Sequence, residues 1–345
     1  MKSWDVLLKK RLWKRYGVAL SLSVAFALVS LLAFLTASPL PPESSGVLVV
    51  IAEGSSTSQI ASELHSRGVI KSPFLFRVFA RILGVQGQLQ AGEYIFEPGM
   101  TLFDVMSSIR QGRVIHYRLT IREGLSVEQI ATVIEERGFG SREAFLEACK
   151  DPELVRKWAT PAELEKTRYP VEGYLFPDTY YIRRGLTERD LVVMMITRFS
   201  QVVGGLLEKN AGKHGLSPHQ LATLASIVEK EAVSPEERPI IARVFLNRLA
   251  MGMKLDADPT VLYAVGKTSG VPLYKDLAFD SPYNTYKYPG LPPGPIAGFG
   301  KAALEAVINP ASVDYLYFVS KNDGTHAFAQ TYEEHLRNVR KYQGR

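Results

Sequence analysis

The chain has 345 residues, of which 46% are apolar, and it carries a formal net charge of +6. This length is sufficient for two compact domains with separate cores. The first sixteen residues carry a net charge of +5, so the remainder of the chain carries only +1. Binding to nucleic acid would require a basic folded region, and the composition therefore excludes nucleic acid as an expected partner.

Residues 17–37 contain no charged side chain, and about 20 apolar residues are enough for a helix to cross a membrane. The basic residues precede this stretch, which predicts a single span with residues 1–16 in the cytoplasm and the rest outside the inner membrane. A cleaved signal peptide is the alternative, but its apolar region is usually shorter, about 7–15 residues. Residues 38–46, rich in Pro and Ser, are expected to form a linker.

The chain contains one cysteine, Cys149, so no intramolecular disulfide can form. We expect Cys149 to be a small buried hydrophobic residue. The six histidines are scattered and do not form a cluster with the spacing of a zinc site. The sequence therefore predicts neither a metal nor another cofactor.

A repeated segment follows the linker. Leu48–Val69 and Arg118–Phe139 are identical at nine of twenty-two positions, including the pairs Glu53-Gly54 and Glu123-Gly124. Each copy has the pattern of a short strand, a turn, a helix and a glycine stop. A weaker similarity, at an offset of 86 residues, indicates that each copy ends with a Tyr-rich strand followed by another helix. We expect the Glu-Gly pairs to be turn positions of a scaffold.

These patterns predict an α+β protein. An α/β repeat subdomain is expected at residues 47–113 and a second, repeat-related α/β region at 114–203. From residue 204 the sequence pattern becomes helical, which predicts a mainly helical domain with a small sheet at 204–345. In that last region we expect a final strand at Tyr315–Ser320, followed by a turn and a terminal helix.

The segment from Pro218 to Ala232 has the pattern of an amphipathic helix, opened by a capping box at Ser217. At 100° per residue, Glu229 falls at the edge of the apolar face and Glu231 about 160° away, so the two are not expected to act as a pair. A carboxyl at such an edge has a raised pKa and keeps the proton that a general acid must donate. The helical pattern alone does not choose between Glu229 and Glu231.

The region from Asp256 to Gly300 is rich in Gly, Pro, Tyr and Asn and shows no sustained periodicity. Its aromatic residues argue against disorder, and a long irregular region inside a compact domain is usually functional. Aromatic rings can pack against the C–H faces of sugars, while Asn, Asp and backbone amides can bind their hydroxyl and acetamido groups. This composition is compatible with binding of a glycan.

Seven motifs occur in order along the chain after residue 46. They are Glu172-Gly-Tyr-Leu-Phe-Pro-Asp-Thr-Tyr180, Ala225-Ser-Ile-Val-Glu-Lys-Glu231, Val244-Phe-Leu-Asn-Arg-Leu249, Asp258-Pro-Thr260, Tyr283-Asn-Thr-Tyr286, Gly290-Leu-Pro-Pro-Gly-Pro-Ile296 and Tyr315-Leu-Tyr-Phe-Val319. Together they resemble the MltG/YceG family of endolytic murein transglycosylases. The chain departs from the family pattern at Ala297-Gly-Phe-Gly300.

The resemblance implies a lytic transglycosylase that cuts the β-1,4 bond between N-acetylmuramic acid and N-acetylglucosamine in nascent peptidoglycan, which limits strand length. It implies that the first glutamate of the Ile-Val-Glu-Lys-Glu run, Glu229, is the catalytic acid. The C6 hydroxyl of the muramic acid would then close a 1,6-anhydro ring without water, unlike the two-carboxylate scheme of most glycosidases. A LysM-like N-terminal subdomain and peptidoglycan synthases as partners are also implied, and no cofactor.

Contacts with the glycan strand are expected from the same motifs. They are assigned to Glu231, Asn247, Asp258, Thr260, Tyr283, Asn284, Thr285, Tyr286, Pro293 and Gly294. Two other functions stay open. A hydrolytic muramidase would need a second acid near Glu229, for which Asp258 is the candidate. A non-enzymatic peptidoglycan-binding scaffold would use the repeat alone.

Overall fold

A computed structural model describes the backbone of residues 2–344. Met1, Arg345 and the side chains of residues 2–12, 14 and 15 lie outside the described part, and the predicted basic cluster is among them. Helix α1 spans Lys2–Thr36. Its apolar part, Tyr16–Thr36, is long enough to cross a membrane and is not buried within the protein. A second stretch that passes the same test, Glu188–Lys209, is 44% buried and contributes to a core.

The rest of the chain forms two compact units. The first comprises the residues up to Tyr117 together with Ile182–Gly185, and the second comprises Arg118–Tyr181 and the residues from Leu186 onward. The second copy of the repeat therefore belongs to the same unit as the helical region. Helices and small two-stranded sheets make up both units, which confirms the predicted α+β class.

The core of the first unit packs three helices against one two-stranded antiparallel sheet. Its elements are β1 (Val47–Ile51), α2 (Thr57–Ser66), α3 (Pro73–Ile82), β2 (Gly92–Phe96) and α4 (Leu102–Arg110). Strands β1 and β2 are antiparallel, with Val49 opposite Tyr94. Alternate residues of each strand face the core, where Val49, Tyr94 and Phe96 meet Phe76. The strand period of two thus accounts for the burial of this sheet on one face.

The second unit is mainly helical. Its elements are β3 (Tyr117–Thr120), α5 (Val127–Glu136), α6 (Arg142–Ala148), α7 (Pro161–Leu164), β4 (Thr179–Ile182), α8 (Glu188–Phe199), α9 (Gly205–Lys209), α10 (Pro218–Glu231), α11 (Arg238–Ala250), α12 (Asp258–Ala264), α13 (Tyr274–Leu277), α14 (Lys301–Ile308), β5 (Tyr317–Ser320), β6 (His326–Ala329) and α15 (Tyr332–Gln343). A π-helical turn, Ser200–Gly204, joins α8 to α9. Strand β3 pairs with β4, and β5 pairs with β6 in antiparallel register. Cys149 is fully buried, as predicted.

The two copies of the repeat have the same local structure. In each copy a strand leads to a glycine with positive φ, Gly54 or Gly124, and then to a helix with a capping box. The box is formed by Ser56 in the first copy and by Ser126 in the second, each with the Gln three residues later. The interpretation of the Glu-Gly pairs as turn positions is confirmed for these glycines.

Two local predictions for the last third of the chain differ from the structure. The turn after β5 leads into a second strand, β6, before the terminal helix begins. The irregular region contains two short helices, α12 and α13, although no regular element follows between residues 278 and 300. Both short helices are too brief to generate a periodic apolar pattern, which is why the sequence did not reveal them.

Candidate active site

Helix α10 passes through the core of the second unit. Ser217 caps its first turn, and Pro218 occupies the first helical position. Every residue from Leu221 to Val228 is buried, because α10 packs against α11, α12 and α14. The prediction of a single apolar face with Glu229 at its edge is therefore wrong. The chain emerges from the core only in the last turn, which carries Glu229, Lys230 and Glu231.

Glu229 is fully engaged by neighbouring groups. Its Oε1 accepts a hydrogen bond from a guanidinium nitrogen of Arg238 at 3.1 Å, and its Oε2 accepts one from the backbone N–H of Gly300 at 2.9 Å. Gly300 is the N-cap residue of α14, where a carboxylate also interacts favourably with the helix dipole. The side chain of Glu229 is 6% exposed. These contacts are typical of a structural ion pair.

Glu231 has the opposite environment. Within the described part of the chain, no hydrogen bond or ion pair engages its carboxyl group. Burial, and secondarily the nearby Asp258 carboxylate, raises the pKa of Glu231 to about 8. A carboxyl in this state is protonated at neutral pH and is free to donate its proton to a ligand.

Two cavities meet at Glu231 and Asp258, which line both of them. The first, of about 330 Å³, is termed the cationic cavity and is also lined by Ser126, Gln129, Lys230, Lys267, Thr268 and Ser269. The second, of about 400 Å³, is termed the aromatic cavity and is also lined by Arg248, Asp256, Tyr286, Tyr317, Tyr332 and His335. Both volumes suit a small-molecule or sugar-sized ligand. Glu229 lines neither cavity.

Asp258 is the first residue of α12 and is held by Tyr286. The Tyr286 hydroxyl donates to Asp258 Oδ1 at 2.6 Å. A pair of threonines holds the two segments together, since the hydroxyls of Thr260 and Thr285 lie 2.8 Å apart and Thr285 also accepts the N–H of Ala257. Both threonines are buried. They therefore shape the site from behind and do not reach a ligand.

Asn284 and Tyr283 have a similar supporting role. The amide group of Asn284, fully buried, donates to the carbonyls of Leu277 and Phe279, and its oxygen accepts the N–H of Tyr286 at 3.0 Å. The ring of Tyr283 packs on Tyr263 with their centroids 4.8 Å apart. The irregular region is thus ordered by its own buried polar groups, which present Tyr286 to the aromatic cavity.

Three further predicted contact residues, like the supporting residues above, line neither cavity at Glu231. Asn247 donates to the carbonyls of Val313 and Tyr315, and the Pro293 carbonyl accepts a hydrogen bond from His219 at 2.9 Å. Both residues line a larger groove of about 1200 Å³. Gly294 leaves little space for a side chain, because a Cβ there would lie 3.0 Å from the Thr167 methyl group. The structure does not bring these residues to the carboxyl of Glu231.

Two carboxyls near this region were not predicted as functional. Glu172 is 1% exposed and accepts the N–H of Val127 at 3.0 Å and the hydroxyl of Tyr263 at 3.0 Å. Burial raises the pKa of Glu172 to about 8. Glu123, from the repeat, lies against Gly300, and burial together with the Glu229 charge raises its pKa. The Glu-Gly repeat and the Glu172 motif were visible in the sequence, but their partners are distant along the chain.

The segment Ala297-Gly-Phe-Gly300, where the chain departs from the family pattern, is in close contact with the second copy of the repeat. Gly124 donates its N–H to the Gly298 carbonyl, and Gly298 donates to the Leu125 carbonyl, both at 2.8 Å. A Cβ on Gly298 would lie 3.1 Å from the Leu175 carbonyl oxygen. The glycine at this position therefore allows the segment before α14 to approach the turn of the repeat.

Comparison with known proteins gives consistent matches over most of the chain. A sequence profile of the YceG-like family matches residues 49–341. An endolytic murein transglycosylase of Bacillus subtilis is 38% identical over 306 residues, covering 86% of this chain and 84% of that protein. An endolytic murein transglycosylase of Streptococcus pneumoniae is 34% identical, covering 85% of this chain and 58% of that protein. A crystal structure of a YceG-like protein from Listeria monocytogenes has a TM-score of 0.60 and 33% identity, covering 85% of this chain and 98% of that one.

The chain therefore belongs to the YceG-like family. The resemblance inferred from the seven motifs is confirmed, and so is the class of enzyme that it implied, a lytic transglycosylase.

Proposed function

We propose that this protein is a membrane-anchored, endolytic peptidoglycan lytic transglycosylase. It cuts the β-1,4 bond between N-acetylmuramic acid and N-acetylglucosamine and leaves 1,6-anhydro ends, which limits the growth of nascent strands. The observation that carries the proposal is the free Glu231 carboxyl, with its pKa raised to about 8, where two sugar-sized cavities meet. Relatives with the name endolytic murein transglycosylase support the choice of substrate.

In the proposed reaction, Glu231 acts first as an acid and then as a base. It donates its proton to the glycosidic oxygen as the bond between that oxygen and C1 of the muramic acid breaks. The Glu231 carboxylate then accepts the proton of the C6 hydroxyl while O6 forms a bond to C1. The carboxyl regains its proton, and no water is consumed. A single carboxyl group is sufficient for this sequence, in contrast to the usual pair.

The proposal assigns the acid to Glu231, whereas the sequence motif suggested Glu229. The ion pair of Glu229 with Arg238 and its bond to Gly300 leave no free oxygen facing either cavity. A catalytic acid needs a proton and access to the substrate, and Glu231 has both. We propose that Glu229 instead positions the start of α14 and the end of α10.

Hydrolysis is a second candidate function, because Asp258 lines the same two cavities as Glu231. Asp258 could direct a water molecule onto C1, as the base of an inverting glycosidase does. Its carboxylate already accepts the Tyr286 hydroxyl. A role in orienting the substrate and in raising the pKa of Glu231 accounts for Asp258 without a water step.

Mass spectrometry of the products distinguishes the two reactions. Purified sacculi would be digested with the full-length protein in detergent, and the new strand ends identified. We expect muramic acid ends 18 Da lighter than hydrolysed ends, since ring closure replaces the addition of water. Reducing muramic acid at the new ends would contradict the transglycosylase proposal and support hydrolysis, whereas intact strands would contradict both.

The membrane location is proposed from helix α1. Residues 17–37 are apolar, their side chains up to Phe34 are not packed inside the protein, and a basic segment precedes them, as expected for a single span with a cytoplasmic N-terminus in the inner membrane. This topology places the site on the side where peptidoglycan lies. We also propose that residues 47–113 form a LysM-like glycan-binding subdomain and that peptidoglycan synthases are partners, as the family resemblance implied.

A further inference from the structure

The two cavities that meet at Glu231 differ in charge. The cationic cavity has the ammonium groups of Lys230 and Lys267 against the Asp258 carboxylate, with Glu231 protonated near neutral pH. Lys267 forms an ion pair with Asp276, which lies outside the lining, and the Lys230 ammonium donates to the Gly124 carbonyl at 3.0 Å, so each ammonium keeps two N–H donors for a ligand. The aromatic cavity has one guanidinium, that of Arg248, against the carboxylates of Asp256 and Asp258. Two ammonium groups balance Asp258 and Asp276 at the cationic cavity, whereas one guanidinium faces two carboxylates at the aromatic cavity, so a ligand with negative charge is favoured in the cationic cavity over the aromatic one.

The cationic cavity also offers more hydrogen-bond donors to an anionic ligand than the aromatic cavity does. Thr268 and Ser269 lie in an exposed loop at the rim of the cationic cavity, and Ser126 and Gln129 line the cavity as well. In the aromatic cavity, Nε and Nη1 of Arg248 donate to Asp256 and to the carbonyls of residues 254, 255 and 316, so the guanidinium charge is already paired with a carboxylate. Among the lining groups described, the cationic cavity thus has two ammonium groups that can donate to a carboxylate, whereas the aromatic cavity has one guanidinium that is paired with Asp256.

The aromatic cavity offers rings instead of free charges. Tyr317 and His335 stack with centroids 5.3 Å apart and planes 26° apart, and Tyr332 lies 5.8 Å from Tyr317. Burial, with the nearby Arg248 charge, lowers the pKa of His335 and keeps its ring neutral. Tyr332 is 55% exposed, so its ring is available to a ligand. Such a surface suits the C–H face of a neutral pyranose ring.

We propose that these cavities fix the direction of the glycan strand across Glu231. The muramic acid with its anionic stem peptide occupies the cationic cavity, and the following N-acetylglucosamine, which leaves through its O4, occupies the aromatic cavity. This inference rests on the proposed function, because it places the bond that Glu231 would cleave between the two cavities. In this arrangement Thr268 and Ser269, at the rim of the cationic cavity, determine the preference of the enzyme for strands that carry stem peptides.

The test adds charge at the rim of the cationic cavity. Full-length protein carrying Ser269→Glu would be compared with Ser269→Gln, which has the same size and no charge. The substrates are peptidoglycan strands with stem peptides that retain free carboxylates and the same strands after enzymatic removal of the peptides. We expect Ser269→Glu to lower the ratio of kcat/KM for peptide-bearing over peptide-free strands about fivefold, and Ser269→Gln to keep the wild-type ratio.

A second pair of variants examines the aromatic cavity. We expect Tyr332→Ala to raise KM for both substrates by the same factor, about fivefold, and Tyr332→Phe to restore the wild-type KM because it keeps the ring. Gln201→Glu, at an exposed position of the second unit outside both cavities, adds the same charge and is expected to leave both rates unchanged.

The outcomes separate the strand direction from the function itself. An unchanged substrate ratio in Ser269→Glu, or a ratio that changes in Tyr332→Ala instead, would overturn the proposed direction while the wild-type protein still cleaves. If the wild-type protein cuts neither substrate, the proposed function fails and the strand direction fails with it.

Discussion

Glu229 and Glu231 are separated by one lysine in the sequence but have different surroundings in the structure. Glu229 pairs with Arg238 and accepts the backbone N–H of Gly300, so both of its oxygens have a partner within the protein. Glu231 has no such partner and lies near another carboxylate, Asp258, so burial and like charge both favour its protonated form. Pairs of acids in contrasting environments commonly divide structural and catalytic roles in this way.

The pH dependence of the rate follows from the protonated state of Glu231. Since the acid form is needed for catalysis, we expect kcat/KM to fall as the pH rises through about 8. Asp258→Asn removes a negative charge that raises the pKa of Glu231, and the descending limb of the profile should move to lower pH. Asp314→Asn, at an exposed carboxylate outside both cavities, is the control. A descending limb at the same pH in Asp258→Asn would contradict this electrostatic coupling.

Glu172 gives a separate prediction, on stability. Its pKa is about 8 in the folded protein and about 4.5 in the unfolded chain, so the folded state retains a proton that the unfolded state loses between these values. The stabilising contribution of Glu172 is complete below pH 4.5 and is lost as the pH rises to about 8. Glu172→Gln cannot ionise and keeps an oxygen that can accept the Val127 N–H.

Urea unfolding at a series of pH values measures this contribution. Between pH 5 and 8 the free energy of unfolding of the wild type should fall relative to that of Glu172→Gln. Parallel curves for the two proteins over this range would show that Glu172 does not titrate with a raised pKa.

At the scale of elements, the turn that contains Gly173 lies against the Pro-rich segment at residues 290–296. Gly173 has φ +81°, and a Cβ at this position would lie 2.4 Å from Cβ of Pro295. The two family motifs that contain these residues are therefore in direct contact, which explains why a glycine is needed in one opposite a rigid proline ring in the other. This contact connects the chain next to Glu172 with the segment that leads to Ile296 at the cationic cavity.

Gly173→Ala should destabilise the second unit strongly. The positive φ and the collision with Pro295 together predict a loss of about 2–4 kcal/mol in the free energy of unfolding. Gly205→Ala is the matched control, because Gly205 has helical φ and no atom lies within 4 Å of the position that a Cβ would take there. That variant should be neutral or up to about 1 kcal/mol more stable. Equal effects of the two substitutions in thermal or urea unfolding would contradict the steric argument.

The sequence predicted the elements whose signals are local. Ser56 with Gln59 and Ser126 with Gln129 form capping boxes within four residues, so the start of the helix in each copy of the repeat could be predicted from the sequence. The environment of Glu231 was not predictable, because it depends on Asp258, twenty-seven positions away, and on enclosure of α10 by four other helices. A helical wheel assumes one buried face, and that assumption failed for a helix that is buried all round.

At the scale of the whole molecule, the site and the proposed anchor are on separate parts of the chain. Every residue that lines the two cavities belongs to the second unit, whereas helix α1 belongs to the first. Removal of residues 1–37 should therefore release the protein from membranes and leave cleavage of isolated strands intact. Carbonate extraction of cell membranes measures the first effect. Retention of the truncated protein in the membrane pellet would contradict anchoring by α1.

The role of Glu231 as the single catalytic acid is tested most directly by two conservative variants of the full-length protein. Release of 1,6-anhydro muropeptides would be measured for Glu231→Gln and Glu229→Gln, with circular dichroism to verify that both are folded. We expect Glu231→Gln to lose activity at least about a hundredfold, and Glu229→Gln to keep measurable activity with lower stability. Full activity in Glu231→Gln, together with a folded but inactive Glu229→Gln, would contradict the account.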